Sequence, residues 1–493
     1  MKTDLKKKTI NGFFWSSIES VFSQGQGMIF GIFLARLLSP EEFGLIGMLT
    51  IFISIAQVFV DSGLSQALIR KQKCDNIDYS TVFWTNILIG IFSYIVIWVA
   101  APYIASFYNK PILIPLTRVT SLSIIIGSLT LIQQTKLTKE VDFKVLTKIS
   151  TIGTFLSGTT SIIMAINGFG VWSLVWRSII NQTIRSILLW KHNNWLPQKL
   201  YSKERFKELF GFGSNILYIS LIAVVFKNIY YLIIGKNYSD KILGYYTNAD
   251  QYSGIPSNTI TTITNKVTYP ILASVQDDNI KLKAMCKKMI PTIMFVSFLI
   301  MFGLAALAFP LFSILLGEKW LPSVIFFQAL CIAYSVTPLL MINMNIMKIK
   351  GRSDLFLKTE IVKYIGFIPI IIIGIIFGLN ALIFGIVIFY WVSFFISAMY
   401  TQNLIGYSIF EQILDLLPGM LLCLLPALLI WPLEYFVPVG SVFILLLKAT
   451  IYFGVIIIVS ILFKLPAYFE IKQILVMKFN IKNYINNLKK DTK

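Results

Sequence analysis

Long apolar segments recur along almost the whole chain and are separated by short polar loops. Each segment is about 20 residues long, which is the length that an α-helix needs to cross the hydrocarbon core of a bilayer. A helix also satisfies its backbone polar groups internally, as a chain in lipid must. The pattern therefore predicts fourteen spanning helices, at residues 13–36, 43–66, 79–102, 113–134, 146–166, 169–190, 212–234, 243–273, 286–309, 323–346, 359–378, 380–402, 413–434 and 440–462.

The composition supports the same class of protein. Of the 493 residues, 56% are apolar types and only 13% are charged, whereas a soluble domain has about 25% charged residues. Three lysines at 6–8 precede the first apolar segment, and no small-residue cleavage site follows them. We therefore expect the first helix to stay as an anchor and predict an all-α polytopic membrane protein.

The excess of positive charge has a topological explanation. The chain carries 43 Lys and Arg against 23 Asp and Glu, a formal net charge of +20. In a soluble protein this excess would indicate nucleic acid binding, but membrane proteins collect cations on their cytoplasmic loops. With both termini inside, 31 cations fall in predicted cytoplasmic segments and 5 in predicted outer segments. We therefore expect cytoplasmic termini and no nucleic acid partner.

The two halves of the chain repeat at an offset near 200 residues. Residues 39–44 and 239–244 both read Ser-x4-Gly, and weaker matches follow in the same order. Because each repeat holds six helices, both have the same orientation, and a pseudo-two-fold axis along the membrane normal relates them. The predicted organisation is a six-helix lobe at 1–190, a cytoplasmic inter-lobe loop at 191–210, a second six-helix lobe at 211–405, two additional helices at 406–463 and a basic amphipathic cytoplasmic tail at 464–493.

Charged side chains within the predicted spans are the candidate site residues. A charge at the bilayer centre costs about 2.5–3.5 kcal/mol on insertion scales, so it should face a wet cavity, pair with another charge or extend to the membrane surface. Lys448, which lies outside the repeat, is expected to extend to the surface. We assign five cations to a central cavity, Arg118, Arg177, Lys227, Lys266 and Lys363, and three acids to coupling or pairing, Glu19, Asp61 and Asp250.

Neutral polar side chains follow the same helices at helical spacing. The eighth span is the most polar, with Asn248, Asp250, Asn258 and Asn265 among its residues. Such stripes suit either a hydrated cavity or the packing of helices in lipid, and both alternatives stay open. His192 is the only histidine, and no metal-ligand spacing is present, so we expect no metal site.

Several N-terminal motifs resemble the polysaccharide flippase family. They are residues 11–15 (Asn-Gly-Phe-Phe-Trp), 35–44 (Ala-Arg-Leu-Leu-Ser-Pro-Glu-Glu-Phe-Gly) and 61–72, which begins Asp-Ser-Gly-Leu-Ser-Gln. That family belongs to the superfamily of multidrug, oligosaccharidyl-lipid and polysaccharide exporters. The resemblance implies a V-shaped fold of two six-helix lobes with two extra C-terminal helices. It also implies that cavity cations contact the diphosphate of the substrate, although it identifies none of them individually.

The function implied by this resemblance is to flip undecaprenyl-diphosphate-linked oligosaccharides from the inner to the outer leaflet of the bacterial inner membrane. The product would be a surface polysaccharide such as lipopolysaccharide or exopolysaccharide, and the partners would be membrane lipids and the lipid-linked oligosaccharide. A polymerase and glycosyltransferases are further candidate partners. No cofactor is expected, and coupling to protons or sodium is left open.

Two alternatives stay open, one within transport and one from a different class. The first is an ion-coupled drug antiporter on the same fold, although a cation exporter should have an acid-dominated cavity and the spans here carry seven cations against three acids. The second is an enzyme, namely a membrane-embedded polymerase or glycosyltransferase. The short outer loops and the lack of an Asp-x-Asp sequence disfavour an enzyme.

Overall fold

The computed structural model describes residues 22, 24–435, 442–466 and 468–470. Every regular element in this part of the chain is a helix, and eleven of the described helical segments are long and apolar enough to cross a membrane. The prediction of an all-α, multi-pass membrane protein is confirmed. Glu19, the start of the first predicted span and the end of the basic tail lie outside the described residues.

The chain divides into two compact units, Met1–Asn248 and Ala249–Lys493. The described helices of the first unit are α1 (residues 24–37), α2 (Pro40–Asp61), α3 (Leu64–Arg70), α4 (Asn76–Tyr108), α5 (Leu113–Thr120), α6 (Leu122–Lys139), α7 (Phe143–Ile166), α8 (Trp172–His192) and α9 (Lys203–Asn237), followed by the beginning of α10 (Asp240–Ala273).

Local sequence sets both ends of α2. Ser39 and Glu42 form a capping box in which the Ser39 amide donates to Glu42 Oε2 at 2.7 Å, and proline stands at the first helical position. The helix ends at Ser62 and Gly63, which both have positive φ. The second predicted span is therefore two helices, α2 and α3, separated by a left-handed turn.

The residues predicted to form an inter-lobe loop pack against α4 and α6 within the first unit, to which α9 also belongs. The amide of Gln198 donates to Ser80 Oγ at 2.9 Å, and the side chain of Asn193 donates to the Gln133 carbonyl at 2.9 Å. Farther along, a Cβ at Gly213 would lie 2.9 Å from the Ser62 carbonyl oxygen, so α9 and α2 are in backbone contact. The boundary between the compact units therefore lies within α10, after Asn248. The division into six-helix lobes at 1–190 and 211–405 stays a prediction.

The described elements of the second unit after α10 are α11 (Asn279–Ala306), α12 (Ala308–Leu315), the 3-10 helix η1 (Glu318–Ser323), α13 (Val324–Tyr334), α14 (Thr337–Ile349), α15 (Ser353–Phe377), α16 (Leu379–Ile405), α17 (Ile409–Ile430), the 3-10 helix η2 (Trp431–Tyr435) and α18 (Val442–Leu462). The apolar core of this unit lies mainly between α11, α14, α16 and α17. The two helices predicted to stand outside the repeat, α17 and α18, pack here: the Tyr452 hydroxyl on α18 donates to the Leu299 carbonyl on α11 at 3.1 Å.

Two predicted spans are present as helices that are too polar to count as membrane helices by composition. They are α8, at the sixth predicted span, and α10, at the eighth. The first predicted span is described only from residue 24 onward, apart from residue 22. The total of fourteen spanning helices therefore stays a prediction.

Candidate functional site

The two Ser-x4-Gly motifs meet in the first unit, where α2 and α10 begin. A Cβ at Gly44 would overlap the carbonyl group of Asp240, and a Cβ at Gly244 would overlap the carbonyl group of Pro40. The contact is reciprocal: Gly44 meets Asp240 and Gly244 meets Pro40, and the two glycines, like the two residues that they meet, lie 200 positions apart. Such reciprocity is what a two-fold axis produces, and the absence of side chains at 44 and 244 permits the approach.

Two ion pairs lie beside this crossing. Lys110 Nζ is 2.5 Å from Asp240 Oδ2, and Lys241 Nζ is 3.8 Å from Glu41 Oε1. All four groups occupy segments that the cation distribution places outside the cell. Because most of these side chains are substantially exposed, each pair contributes about 0–1 kcal/mol. They orient the helix ends more than they stabilise them.

A buried carboxylate stands at the other end of the first unit. The Asp78 side chain is fully buried, and Lys71 Nζ lies 3.1 Å from its Oδ1 and 3.1 Å from Glu208 Oε2. Burial opposes the charged form of Lys71, but the hydrogen bonds that its ammonium donates to Asp78 and Glu208 outweigh this effect and raise the pKa of Lys71. Since these residues belong to three segments of the chain, the charge cluster ties the beginnings of α4 and α9 to the end of α3.

The structure places the candidate residues of the first unit in different settings. Arg118 stacks over the Trp98 ring at 3.8 Å, and its buried Nε has no hydrogen-bond partner among the described groups. Arg177 donates to the Gly27 carbonyl at 3.3 Å. Lys227 is exposed on α9, and no described acid pairs with it.

Asp61, the acid assigned to this unit, is the last residue of α2. Its Oδ1 is buried, and no described group donates a hydrogen bond to it. A buried carboxylate oxygen without a donor is unusual in a folded protein. Asp61 is therefore the described acid of the first unit best suited to bind a proton or a cation.

In the second unit, one face of α10 packs through polar contacts with α13 and α14. The side chains on this face recur every four or seven residues, as one face of a helix requires. Polar packing, one of the two alternatives for the stripe, therefore accounts for this face. The contacts are Asp250 with Tyr334 (2.5 Å), Ser257 with Thr337 (2.9 Å), Thr261 with Thr337 (3.1 Å) and Asn265 with Asn345 (2.8 Å).

The adjacent face of α10 carries a second polar stripe. Its residues are Gln251, Asn258, Thr262 and Lys266, again at intervals of seven and four. Asn258 is exposed and the other three are half-buried. We call these four residues the α10 stripe. It brings amide and hydroxyl groups and a cation together on one face of the helix, and these are the groups that a polar, anionic ligand requires.

The cations on α15 and α18 are held by neighbouring groups. Lys363 pairs with Glu360 at 2.5 Å, and both side chains are largely buried. Lys448 was expected to extend to the membrane surface, but this prediction is wrong: the residue is fully buried and lies 3.4 Å from the Trp431 carbonyl. The carbonyl groups at the end of α17 carry partial negative charge, and this attraction gives the ammonium a partner inside the unit.

Sequence reasoning missed three groups that partner the candidate residues. Tyr334 and Asn345 donate hydrogen bonds to Asp250 and Asn265 on the packing face of α10, and Glu360 pairs with Lys363. Asn345 and Glu360 were visible in the sequence as polar residues at predicted span edges. The role of Tyr334 had no signal of its own, because tyrosine is common in membrane helices.

Comparison with known proteins identifies the family. Residues 33–325, more than half of the chain, match the family model described as "Polysaccharide biosynthesis protein". The chain belongs to this family. The expectation drawn from the N-terminal motifs is confirmed, and the match extends well beyond them into the second unit.

Similar proteins come from both Gram-negative and Gram-positive bacteria. The chain is 24% identical to the lipopolysaccharide biosynthesis protein WzxC of Escherichia coli K12, over 75% of this chain and 76% of that protein. It is 28% identical to the teichuronic acid biosynthesis protein TuaB of Bacillus subtilis 168, over 71% and 73% respectively. Among solved structures, the lipid II flippase MurJ in an inward closed conformation matches with a TM-score of 0.73 at 16% identity, over 91% of this chain and 98% of that one. This likeness shows a shared fold.

Proposed function

We propose that this protein flips undecaprenyl-diphosphate-linked oligosaccharides from the inner to the outer leaflet of the bacterial cytoplasmic membrane. The oligosaccharides would then be used to build a surface polysaccharide. The observation that carries the proposal is membership of the polysaccharide biosynthesis family together with the fold shared with a lipid II flippase. The names of WzxC and TuaB connect those proteins with two different surface polymers, so the sugar itself is left open.

The physical requirement for such a protein is clear. Transfer of a hydroxyl or amide group into an apolar medium without a partner costs roughly 2–7 kcal/mol, and transfer of a charge costs far more. A sugar diphosphate therefore needs a polar surface inside the membrane while its prenyl chain stays in lipid. The α10 stripe offers such a surface, with amide and hydroxyl groups for sugars and the Lys266 ammonium for phosphate.

Five cations are proposed to contact the diphosphate: Arg118, Arg177, Lys227, Lys266 and Lys363. Lys227 and Lys266 are the best suited, since the first is exposed without a described acid partner and the second lies on the α10 stripe. Lys363 would have to exchange Glu360 for phosphate. Arginine adds bidentate recognition of phosphate oxygens where it takes part.

Coupling and location complete the proposal. Asp61, Asp250 and Glu19 are proposed to pair with these cations or to bind a coupling proton or sodium ion, without an organic cofactor. Both termini and the 191–210 loop are proposed to be cytoplasmic, as the distribution of cations indicates. Glycosyltransferases would act before the flipping step and a polymerase after it, so they are the proposed protein partners.

The test uses a strain that makes the polymer and lacks this gene. We expect the strain to accumulate lipid-linked oligosaccharide on the inner leaflet and the intact gene to restore export. Lys227→Gln and Lys266→Gln should each lower export about tenfold or more, because a hydrogen bond to a charged group contributes about 1.5–3 kcal/mol. Lys358→Gln is the matched control, since Lys358 is an exposed lysine near the beginning of α15.

Other outcomes would support the alternatives. Unpolymerised units on the outer leaflet of the deleted strain would indicate a polymerase. Normal export combined with drug sensitivity would indicate an antiporter. Equal export from all three lysine variants, at normal protein levels, would contradict the assigned role of the cations.

A further inference from the structure

An apolar groove runs along the first unit between α2, α4 and α9. Its volume is about 720 Å³. All of the described residues that line it are apolar except Ser62 and Ser93, and four of them are phenylalanines: Phe52, Phe59, Phe92 and Phe210. Three of its residues on α2 and α4 are substantially exposed, Phe59, Phe92 and Val96. The groove is therefore open along one side.

The groove is longer than one leaflet of a membrane. On α4 it extends from Ile89 to Ile104, which is about 22 Å at 1.5 Å per residue. Half of a hydrocarbon core of about 30 Å is about 15 Å. The acyl chains of a phospholipid fill their own leaflet, so a site of this length suits a longer chain that crosses the bilayer midplane.

Aromatic rings and lysines continue from the α9 end of the groove. The Phe210 ring stacks on Phe206 with centroids 5.1 Å apart, and Phe206 lies 6.4 Å from the ring of Tyr201. Lys203 and Lys207 share this face of α9, because Lys203 precedes Phe206 by three residues and Lys207 precedes Phe210 by three. Both lysines are exposed, and no described acid lies within ion-pair distance of either.

We infer that the groove binds the polyprenyl chain of a lipid diphosphate, with the diphosphate at Lys203 and Lys207. The charge of these lysines complements a diphosphate, and the groove beyond them is apolar except at Ser62 and Ser93, which suits the attached chain. Methyl-branched prenyl units would also contact the phenylalanine rings over a large area. The inference rests on the proposed function for the identity of the lipid, and it adds a site for the substrate in the inner leaflet.

The experiment is photo-crosslinking on the purified full chain in lipid nanodiscs. One probe is a sugar-free polyprenyl diphosphate with a diazirine in its chain, and the other is phosphatidylglycerol with a diazirine in an acyl chain. Labelled peptides are identified by mass spectrometry. At equal mole fraction, we expect the prenyl probe to label residues 92–96 and Phe59 at least fivefold more than the acyl probe. Equal labelling by both probes would overturn the inference and make the groove a general lipid contact.

Two pairs of variants test the two halves of the site. Val96→Trp fills the groove at an exposed position, and Ile163→Trp on α7 is its control because Ile163 is also exposed. The double variant Lys203→Gln/Lys207→Gln removes the charges, and Lys148→Gln/Lys288→Gln is its control at two other exposed lysines. We expect at least fivefold less prenyl labelling in the first member of each pair and unchanged labelling in each control.

The outcomes separate this inference from the proposed function. The exposed lysine variants should fold normally, which gel filtration would check, so they test the site even if Val96→Trp is unstable. Unchanged prenyl labelling in both site variants would overturn the inference, whatever the export assay shows. Groove labelling that depends on these residues, in a protein that exports no oligosaccharide, would support the lipid site and contradict the proposed function.

Discussion

Alanine at the reciprocal glycine crossing should separate α2 from α10. An alanine Cβ at position 44 would lie 2.7 Å from the Asp240 carbonyl carbon, and one at position 244 would lie 2.6 Å from the Pro40 carbonyl carbon. Carbon atoms in contact are normally about 3.5–4.0 Å apart. Each substitution therefore requires the helices to move apart by about 1 Å, since the opposing atoms belong to the backbone and cannot rotate away.

The expected cost follows from overpacking. Extra methyl groups in a packed interior cost typically 1–3 kcal/mol, which corresponds to a fall in Tm of roughly 2–12 °C for a unit of this size. Gly44→Ala and Gly244→Ala should show similar losses. The double variant should lose less than the sum, because one separation of the helices relieves both overlaps and the substitutions are coupled.

The assay measures the thermal unfolding of each purified variant in the same detergent, and fluorescence-detected gel filtration monitors the loss of folded protein. The matched control is Gly366→Ala on α15, where a Cβ would meet no atom within 4 Å. Alanine there should leave Tm unchanged or raise it slightly, because glycine lowers helix stability by roughly 0.5–1 kcal/mol. Unchanged Tm in both crossing variants, or strictly additive losses, would refute the reciprocal backbone contact.

Two further predictions concern the first unit and the topology. Asp78→Asn should lower the free energy of unfolding by about 3 kcal/mol, because it removes one partner of a buried ion pair. Its control, Asp75→Asn, should change that free energy by less than about 0.5 kcal/mol, because the Asp75 side chain is 70% exposed. Equal denaturation midpoints of the two variants would contradict the role of the buried carboxylate. In a Cys74→Ser background, in which the other three cysteines are buried, an impermeant thiol reagent applied to intact cells should label a cysteine at Glu318 and not one at Asn193. Labelling of the cysteine at 193 from outside would contradict the cytoplasmic placement of the 191–210 loop.

Periodicity and composition predicted the class of fold because every spanning helix must bury its backbone in the same way. They also located α8 and α10, although both are more polar than a typical membrane helix. The turn at Ser62 and Gly63 was missed although Asp61, Ser62 and Gly63 are a turn signal in the sequence, because the predicted span was drawn through the apolar residues on both sides of them. Binding of the inter-lobe loop through Gln198 and Asn193 was missed for another reason: such hydrogen bonds depend on tertiary contacts.

For the candidate site, the sequence supplied the charged residue types but not the groups that contact them. The cost of a charge in lipid indicated that Lys363 and Lys448 need a polar partner or a polar environment. The adjacent Glu360 provides such a partner for Lys363, and the helix-end carbonyl of Trp431 provides one for Lys448. Spacing along α10 could not divide its polar residues between the packing face and the α10 stripe, since both faces repeat at the same interval. The contacts of Tyr334, Thr337 and Asn345 separate the two faces.

Transbilayer movement of the substrate in a purified system tests the central claim most directly. The purified chain would be reconstituted in vesicles with a fluorescent undecaprenyl-diphosphate-linked oligosaccharide, and a membrane-impermeant quencher would report the fraction in the outer leaflet over time. We predict that the protein moves the labelled lipid between leaflets far faster than protein-free vesicles do, and that Lys266→Gln slows this movement while Lys358→Gln does not. Movement at the protein-free rate, by a correctly folded protein supplied with proton and sodium gradients, would contradict the proposed function.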